Sequence, residues 1–232
     1  MKICIFSDVH GNFLALQQMI HKEESNVDYF IFVGDIFGYF YEQKEVINQL
    51  TKMERLYAVR GNHDQNYLLS RNNELYRHQL VEKYGCSYNL LLSEVEMEYI
   101  QKLPECMEIQ LEDKSIGIFH GGLTDHMTQR IYPDTELDEE IYGQKYDYLF
   151  LGHTHYQILK KTGKTFILNP GSIGQPRDGK GFSYCILNTV ENQVLFKSVN
   201  LDIKKLLKDV KERDFGTKNC EYLLKKYGGL HL

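Results

Sequence analysis

Five short apolar runs in this chain each end in a loop that carries a side chain able to bind metal. Lys2 to Phe6 runs into Asp8 and His10, Asp28 to Val33 into Asp35, and Arg55 to Val59 into Asn62 and His63. Ser115 to Phe119 ends in His120, and Asp147 to Leu151 ends in His153 and His155. A sixth run, Lys164 to Leu168, ends in Asn169-Pro-Gly-Ser172. Short apolar runs bounded by glycine and polar turns read as buried strands. In α/β sheets, ligands bind beyond the carboxyl ends of the strands, where such loops converge. The pattern therefore requires a fold that gathers these strand ends in one place. Gly11, Gly34, Gly61, Gly121 and Gly152 flank the groups, as tight turns and close backbone approach require.

Up to residue 59 the order is strand, helix, strand, helix, strand, which implies parallel strands with right-handed crossovers. Asn12 is placed to cap a helix that buries Phe13, Leu16, Met19 and Ile20, and a second amphipathic helix covers Glu42 to Leu50. Residues 65 to 103 break the rhythm: they are polar, rich in tyrosine and helical in pattern. Ser93 with Glu96 forms a capping box there, and Pro104 ends the segment. This reads as a helical insertion beside or over the site. Strands resume at Met107 to Leu111, and Phe182 to Asn188 with Gln193 to Val199 reads as a final antiparallel pair. Residues 201–232 carry two helical patterns whose lysines read as the solvated face of docked helices. The expected division is one domain over 1–200 with the insertion inside it, and a helical tail packed on it.

A chain of 232 residues suits that division. A net charge of −5 argues against a surface that coats nucleic acid, so no stable nucleic-acid partner is expected. No stretch approaches the ~20 apolar residues of a membrane span, and no leader precedes the first strand. The five cysteines are odd in number, scattered and never in a Cys-x-x-Cys pair, which points to free thiols and a cytoplasmic location.

Side chains two residues apart on a strand share a side. Asp8-x-His10 is therefore placed to offer two ligands to one metal ion, and His153-x-His155 repeats its spacing at another strand exit. A lone histidine at a strand end is usually an ordinary hydrogen-bonded residue, and a lone Gly-Asp usually a turn. Five such groups, all at strand exits and all of nitrogen or oxygen type, are hard to sustain as turns.

As a set, Asp8-x-His10, Gly34-Asp35, Gly61-Asn62-His63-Asp64, His120-Gly121 and Gly152-His153-x-His155 resemble the motif blocks of the calcineurin-like metallophosphoesterases. The compact size and the stretch Asn169 to Asp178 look like the small bacterial and archaeal phosphodiesterase branch. The resemblance implies an α/β fold, a four-layer α-β-β-α sandwich of two packed mixed sheets flanked by helices. It implies two divalent transition-metal ions, one held by Asp8, His10, Asp35 and His155, the other by Asp35, Asn62, His120 and His153. Asp35 would bridge them. Such a donor set suits manganese, with iron, nickel, cobalt or zinc as alternatives. Two ions ~3.5–4 Å apart can acidify a shared water and clamp an in-line displacement.

By the same resemblance His63 faces the substrate and protonates the leaving oxygen. Asn12, Arg177 and Arg60 are candidates for gripping phosphoryl oxygens; their plainer readings are a helix cap for Asn12 and surface ion pairs for the arginines. In the larger protein-phosphatase relatives a further Asp and Arg follow Gly-Asp, whereas here the segment is Ile36-Phe-Gly-Tyr-Phe-Tyr41. Its aromatics suit either nucleobase stacking or the core, the core more so for Phe37 and Phe40. The expected activity is hydrolysis of phosphodiester bonds in small or nucleotide-type substrates. Dinucleoside polyphosphate hydrolysis and monoester hydrolysis are the rival activities, and a non-catalytic scaffold is the rival of another class. The retention of every ligand position and of His63 favours the enzyme. Assembly into a homo-oligomer stays open.

Overall fold

Alternation within the first strand sets the layers of the molecule. A computed structural model describes residues 1–228; residues 229–232 of the expected tail lie outside the described residues. In β1 (Lys2–Phe6), Ile3 and Ile5 face one apolar layer while Cys4 and Phe6 face another. β2 (Tyr29–Phe32) repeats this, with Ile31 on the first side and Phe30 and Phe32 on the second. A strand with apolar residues on both faces must be covered on both.

The first sheet has the order β10-β9-β1-β2-β3. β1, β2 and β3 (Leu56–Ala58) are parallel, and the pair β9 (Phe182–Asn188) and β10 (Gln193–Val199) is antiparallel, with β9 lying against β1. The second sheet has the order β4-β5-β6-β8-β7. β5 (Lys114–Phe119), β6 (Tyr148–Phe150) and β8 (Thr165–Pro170) are parallel; β4 (Cys106–Leu111) and β7 (Gln157–Thr162) are antiparallel edges. Both sheets are mixed. They pack through Ile3, Ile5, Ile31 and Val59 on one side and Ile116, Ile118, Phe150 and Leu168 on the other.

α1 (Phe13–Glu23), α2 (Gln43–Thr51), α5 (Glu94–Lys102), α7 (Ile203–Asp214) and α8 (Lys218–Tyr227) share one apolar cluster with the outer face of the first sheet. The outer face of the second sheet is covered by the segment 121–146, irregular apart from α6 (Glu139–Tyr142), through Ile131, Tyr142 and Tyr146. The helical insertion begins earlier than expected. α3 (Asn62–Ser70) starts on Asn62 itself, followed by α4 (Glu74–Tyr84), a 3-10 helix at Cys86–Asn89, and α5. The Ser93–Glu96 capping box starts α5 as expected. Asn12 caps α1, its Oδ1 accepting from Ala15 N at 3.3 Å, but Phe13 is only half-buried.

β7 has no counterpart among the expected strands. It is an edge strand, and Lys160 and Lys161 break its apolar pattern where only one side pairs. Lysines are what protects such an edge from further pairing. Among the described residues no helix is long and apolar enough to cross a membrane.

Candidate metal centre

Asp8, His10, Asp35, His153 and His155 all lie just past strand ends, and all five have left-handed backbones, with φ of 55°, 50°, 71°, 65° and 62°. This region is uncommon for residues other than glycine and gathers at functional sites. It also changes the reason for the two-residue spacing. Asp8 and His10 are brought together by a twisted turn beyond β1, not by the pleat of a strand. The turn is clamped from behind: Ser172 Oγ donates to Asp8 O at 2.8 Å and Gly174 N to the same oxygen at 3.0 Å. The Asn-Pro-Gly-Ser loop thus supports the site from outside it. Gly61 and Gly152 are needed for close approach, because a Cβ at either would collide with Asp35 or Ser7.

Three imidazoles have their outer nitrogen occupied by a backbone carbonyl. Nδ1 of His10 lies 2.6 Å from Phe37 O, that of His120 2.7 Å from Val33 O, and that of His155 2.5 Å from Gln175 O. A carbonyl only accepts, so each Nδ1 carries a proton and each Nε2 turns inward. This is the carbonyl–histidine arrangement that orients metal ligands. Burial, helped at His10 by the neighbouring His155, holds both imidazoles below their usual range. Their Nε2 atoms nevertheless face each other at 3.2 Å, with Asp8 Oδ1 3.1 Å from one and 3.8 Å from the other. Three lone-pair atoms converging this way repel unless a cation lies among them. Metal–ligand bonds of ~2.0–2.2 Å place neighbouring ligands roughly 3–3.6 Å apart, a range that holds two of these three separations, with the third just beyond it.

The second cluster adjoins the first. His120 Nε2 lies 3.1 Å from Asp35 Oδ2 and 3.1 Å from Asn62 Oδ1, and His153 Nδ1 lies 2.8 Å from the same Asn62 oxygen. Asp35 Oδ2 is also 3.9 Å from His10 Nε2, so it stands between the two clusters. Its Oδ1 accepts from His63 N at 2.8 Å. Oδ2 is therefore the Asp35 oxygen left to face both clusters. Burial opposes a charge on His120, but the touching Asp35 outweighs it and pushes the imidazole up to about 10. An ion in place of that proton would meet the same attraction. Both oxygens of Asp8 and Oδ2 of Asp35 are buried without a hydrogen-bond partner among the described residues. Buried charged oxygens left open in this way are costly, and divalent ions satisfy them. The donor set fits two ions.

His63 stands beside this cluster. Its ring centroid is 5.0 Å from that of His10, its Nδ1 lies 2.6 Å from the hydroxyl of Tyr88, and Nε2 has no hydrogen-bond partner among the described residues. Tyr39, also left-handed with φ 61°, lies edge-on to His10 with centroids 4.7 Å apart. It closes the half of the site formed by Asp8, His10 and His155, which are at most 1 % exposed. Asn62 and His153 stay partly exposed, so the other half is open. Phe37 is in the core, stacked on Tyr67 at 3.9 Å, and Phe40 is buried too.

The three expected phosphate contacts diverge. Arg177 is near the cluster: it donates to Tyr39 Oη and Gln175 Oε1, both at 3.0 Å, and its charge adds to the lowering at His10 and His155. Asn12 is buried and spends its amide on the helix cap and on Gly174 O at 3.4 Å. Arg60 pairs with Glu105 at 3.4 Å, the surface ion pair of its plainer reading. No motif pointed to Arg130, which is exposed on the open side. Burial and His120 lower His153 to about 3, and His155 and Arg130 add to that shift.

Residues 1–192 match the calcineurin-like phosphoesterase superfamily domain. The chain belongs to that family. The protein MJ0912 of Methanocaldococcus jannaschii is 29 % identical to it over 225 residues, covering 88 % of this chain and 89 % of that one. Phosphodiesterase YfcE of Escherichia coli K12 is 23 % identical over 207 residues, covering 84 % and 90 %. A metallophosphoesterase structure from Sphaerobacter thermophilus superposes with a TM-score of 0.79, at 24 % identity and 98 % and 99 % coverage.

In this phosphoesterase one residue of the Gly61 to Asp64 block has a role that its motif did not reveal. Asp64, fully buried, accepts from four backbone N–H groups: Asp35 at 3.0 Å, Ile36 at 2.7 Å, Phe37 at 3.2 Å and Gly61 at 3.0 Å. It ties the loop after β2 to the loop after β3. Burial and the nearby Asp35 charge push its carboxyl up to about 7, against the pull of the N–H groups. Asp64→Ala strands those four donors. It is expected to destabilise the protein by about 3 kcal/mol or more, since each buried unpaired group costs ~1–3 kcal/mol. Urea unfolding of the metal-free protein measures this, and a loss under ~1 kcal/mol contradicts it.

Proposed function

We propose that this phosphoesterase hydrolyses phosphodiester bonds in small or nucleotide-type substrates, with two divalent ions held by Asp8, His10, Asp35, Asn62, His120, His153 and His155. The observation that carries the reading is the set of unpaired carboxylate oxygens facing imidazole Nε2 atoms, with a free His63 Nε2 alongside. Bound ions would supply Lewis acidity at the phosphoryl group and activate the attacking water. The chain's own residues do the rest. Asp35 orients His63 through its backbone N–H, and His63 Nε2 hands a proton to the leaving oxygen. Arg177 and Arg130 flank the cluster and place positive charge on the phosphoryl oxygens.

No arginine follows Gly34-Asp35. That favours the singly charged diester over a monoester, whose extra charge needs a further grip. The YfcE relative, a phosphodiesterase by name, points the same way. The five free thiols agree with a cytoplasmic setting. The test is a panel of a bis-aryl phosphate, a mono-aryl phosphate, a cyclic nucleotide and a dinucleoside tetraphosphate, run on protein reconstituted with manganese. Turnover fastest on the diester supports the reading. Turnover confined to the mono-aryl phosphate or to the tetraphosphate overturns the diester assignment.

A further inference from the structure

The helical insertion supplies a residue that no motif block contains. Tyr88 sits in the 3-10 helix Cys86–Asn89, is fully buried, and places its hydroxyl 2.6 Å from His63 Nδ1. Among the described residues the only other group it reaches is His63 O, at 3.5 Å, the edge of hydrogen-bonding range. The short contact is therefore the one that holds the ring. Gly38 crowds the same edge of the imidazole, since a Cβ there would come within 2.8 Å of Nδ1. Tyr84 packs edge-on to the ring with centroids 4.5 Å apart. His63 is thus gripped along its Nδ1 side by the insertion, and its Nε2 side is left for substrate.

We infer that Tyr88 is the positioning residue for His63: its hydroxyl holds Nδ1 and fixes the ring so that Nε2 faces the leaving oxygen, and the imidazolium that gives up its Nε2 proton there returns to the neutral ring. This rests on the phosphoesterase reading and deepens it. A phenol hydroxyl can both accept and donate, so Tyr88 keeps hold of Nδ1 while the ring is charged and after it has lost the Nε2 proton. The hydroxyl moves no proton to substrate itself; it acts through His63.

The test compares wild type, Tyr88→Phe, His63→Ala and the double variant on two phosphodiesters that differ only in leaving group, 4-nitrophenol and an aliphatic alcohol. A poor leaving group needs the proton, and a good one leaves without it. Tyr88→Phe is expected to lower kcat at least tenfold on the alkyl ester and less than threefold on the nitrophenyl ester. KM and metal content should be unchanged, and the double variant should be no slower than His63→Ala.

Equal losses on both esters, or no loss on either, overturns the assignment. A wild type inactive on both esters overturns the phosphoesterase reading and takes the catalytic role of Tyr88 with it. That result is distinct from an active enzyme indifferent to Tyr88→Phe. Should Tyr88→Phe not fold, 3-fluorotyrosine at position 88 keeps the ring and changes the acidity of the hydroxyl. An unchanged ratio of the two turnover rates then overturns the assignment equally.

Discussion

Replacing His63 with alanine is expected to lower kcat by roughly 10²- to 10⁴-fold, the usual contribution of general acid catalysis, and to leave metal content unchanged. The two effects separate because of where His63 is attached. Its imidazole contacts Tyr88, outside the converging oxygens and Nε2 atoms, whereas its link to Asp35 is through the backbone N–H, which alanine retains. The Asp35 carboxylate therefore keeps its orientation when the side chain is lost. Metal analysis alongside steady-state kinetics measures both quantities. Unchanged turnover would remove His63 from the mechanism, and loss of metal together with activity would make it a ligand.

Asp35→Asn is expected to do the opposite, removing at least one ion per chain and cutting turnover by about 10³-fold or more. Oδ2 of Asp35 faces His120 at 3.1 Å and His10 at 3.9 Å, so a single substitution weakens both clusters. Metal analysis and kinetics on this variant check both effects, and full turnover with two ions bound would contradict the role given to Asp35.

The gathering of strand ends was legible because each apolar run ends in a glycine and a polar group, and sheets bring such ends together. The layers came from the family resemblance; Ile3, Cys4, Ile5 and Phe6 are all apolar, and only the structure shows that they alternate between two cores. The left-handed backbones of Asp8, His10 and Asp35 were not legible, since aspartate and histidine give no mark of that conformation as glycine does. Asp64 and Tyr88 were hidden for a different reason. Asp64 holds the loop at Asp35 to Phe37 across 27 to 29 residues, and Tyr88 meets His63 across 25. No local pattern records such contacts. Tyr39 was readable as an aromatic beside the site, but its position over His10 depends on the insertion and the tail. Its N–H donates to Tyr84 O at 2.6 Å, and its O accepts from Asn219 Nδ2 at 3.0 Å.

The central claim is a pair of divalent ions joined by Asp35 that turns over phosphodiesters. The most direct measurement is a manganese titration of chelator-treated protein, reading bound metal per chain and hydrolysis of a bis-aryl phosphate on the same samples. The account predicts two ions per chain, with turnover absent from the metal-free protein and rising as the sites fill. Full turnover in the metal-free protein, or saturation at one ion per chain with full activity, would contradict it.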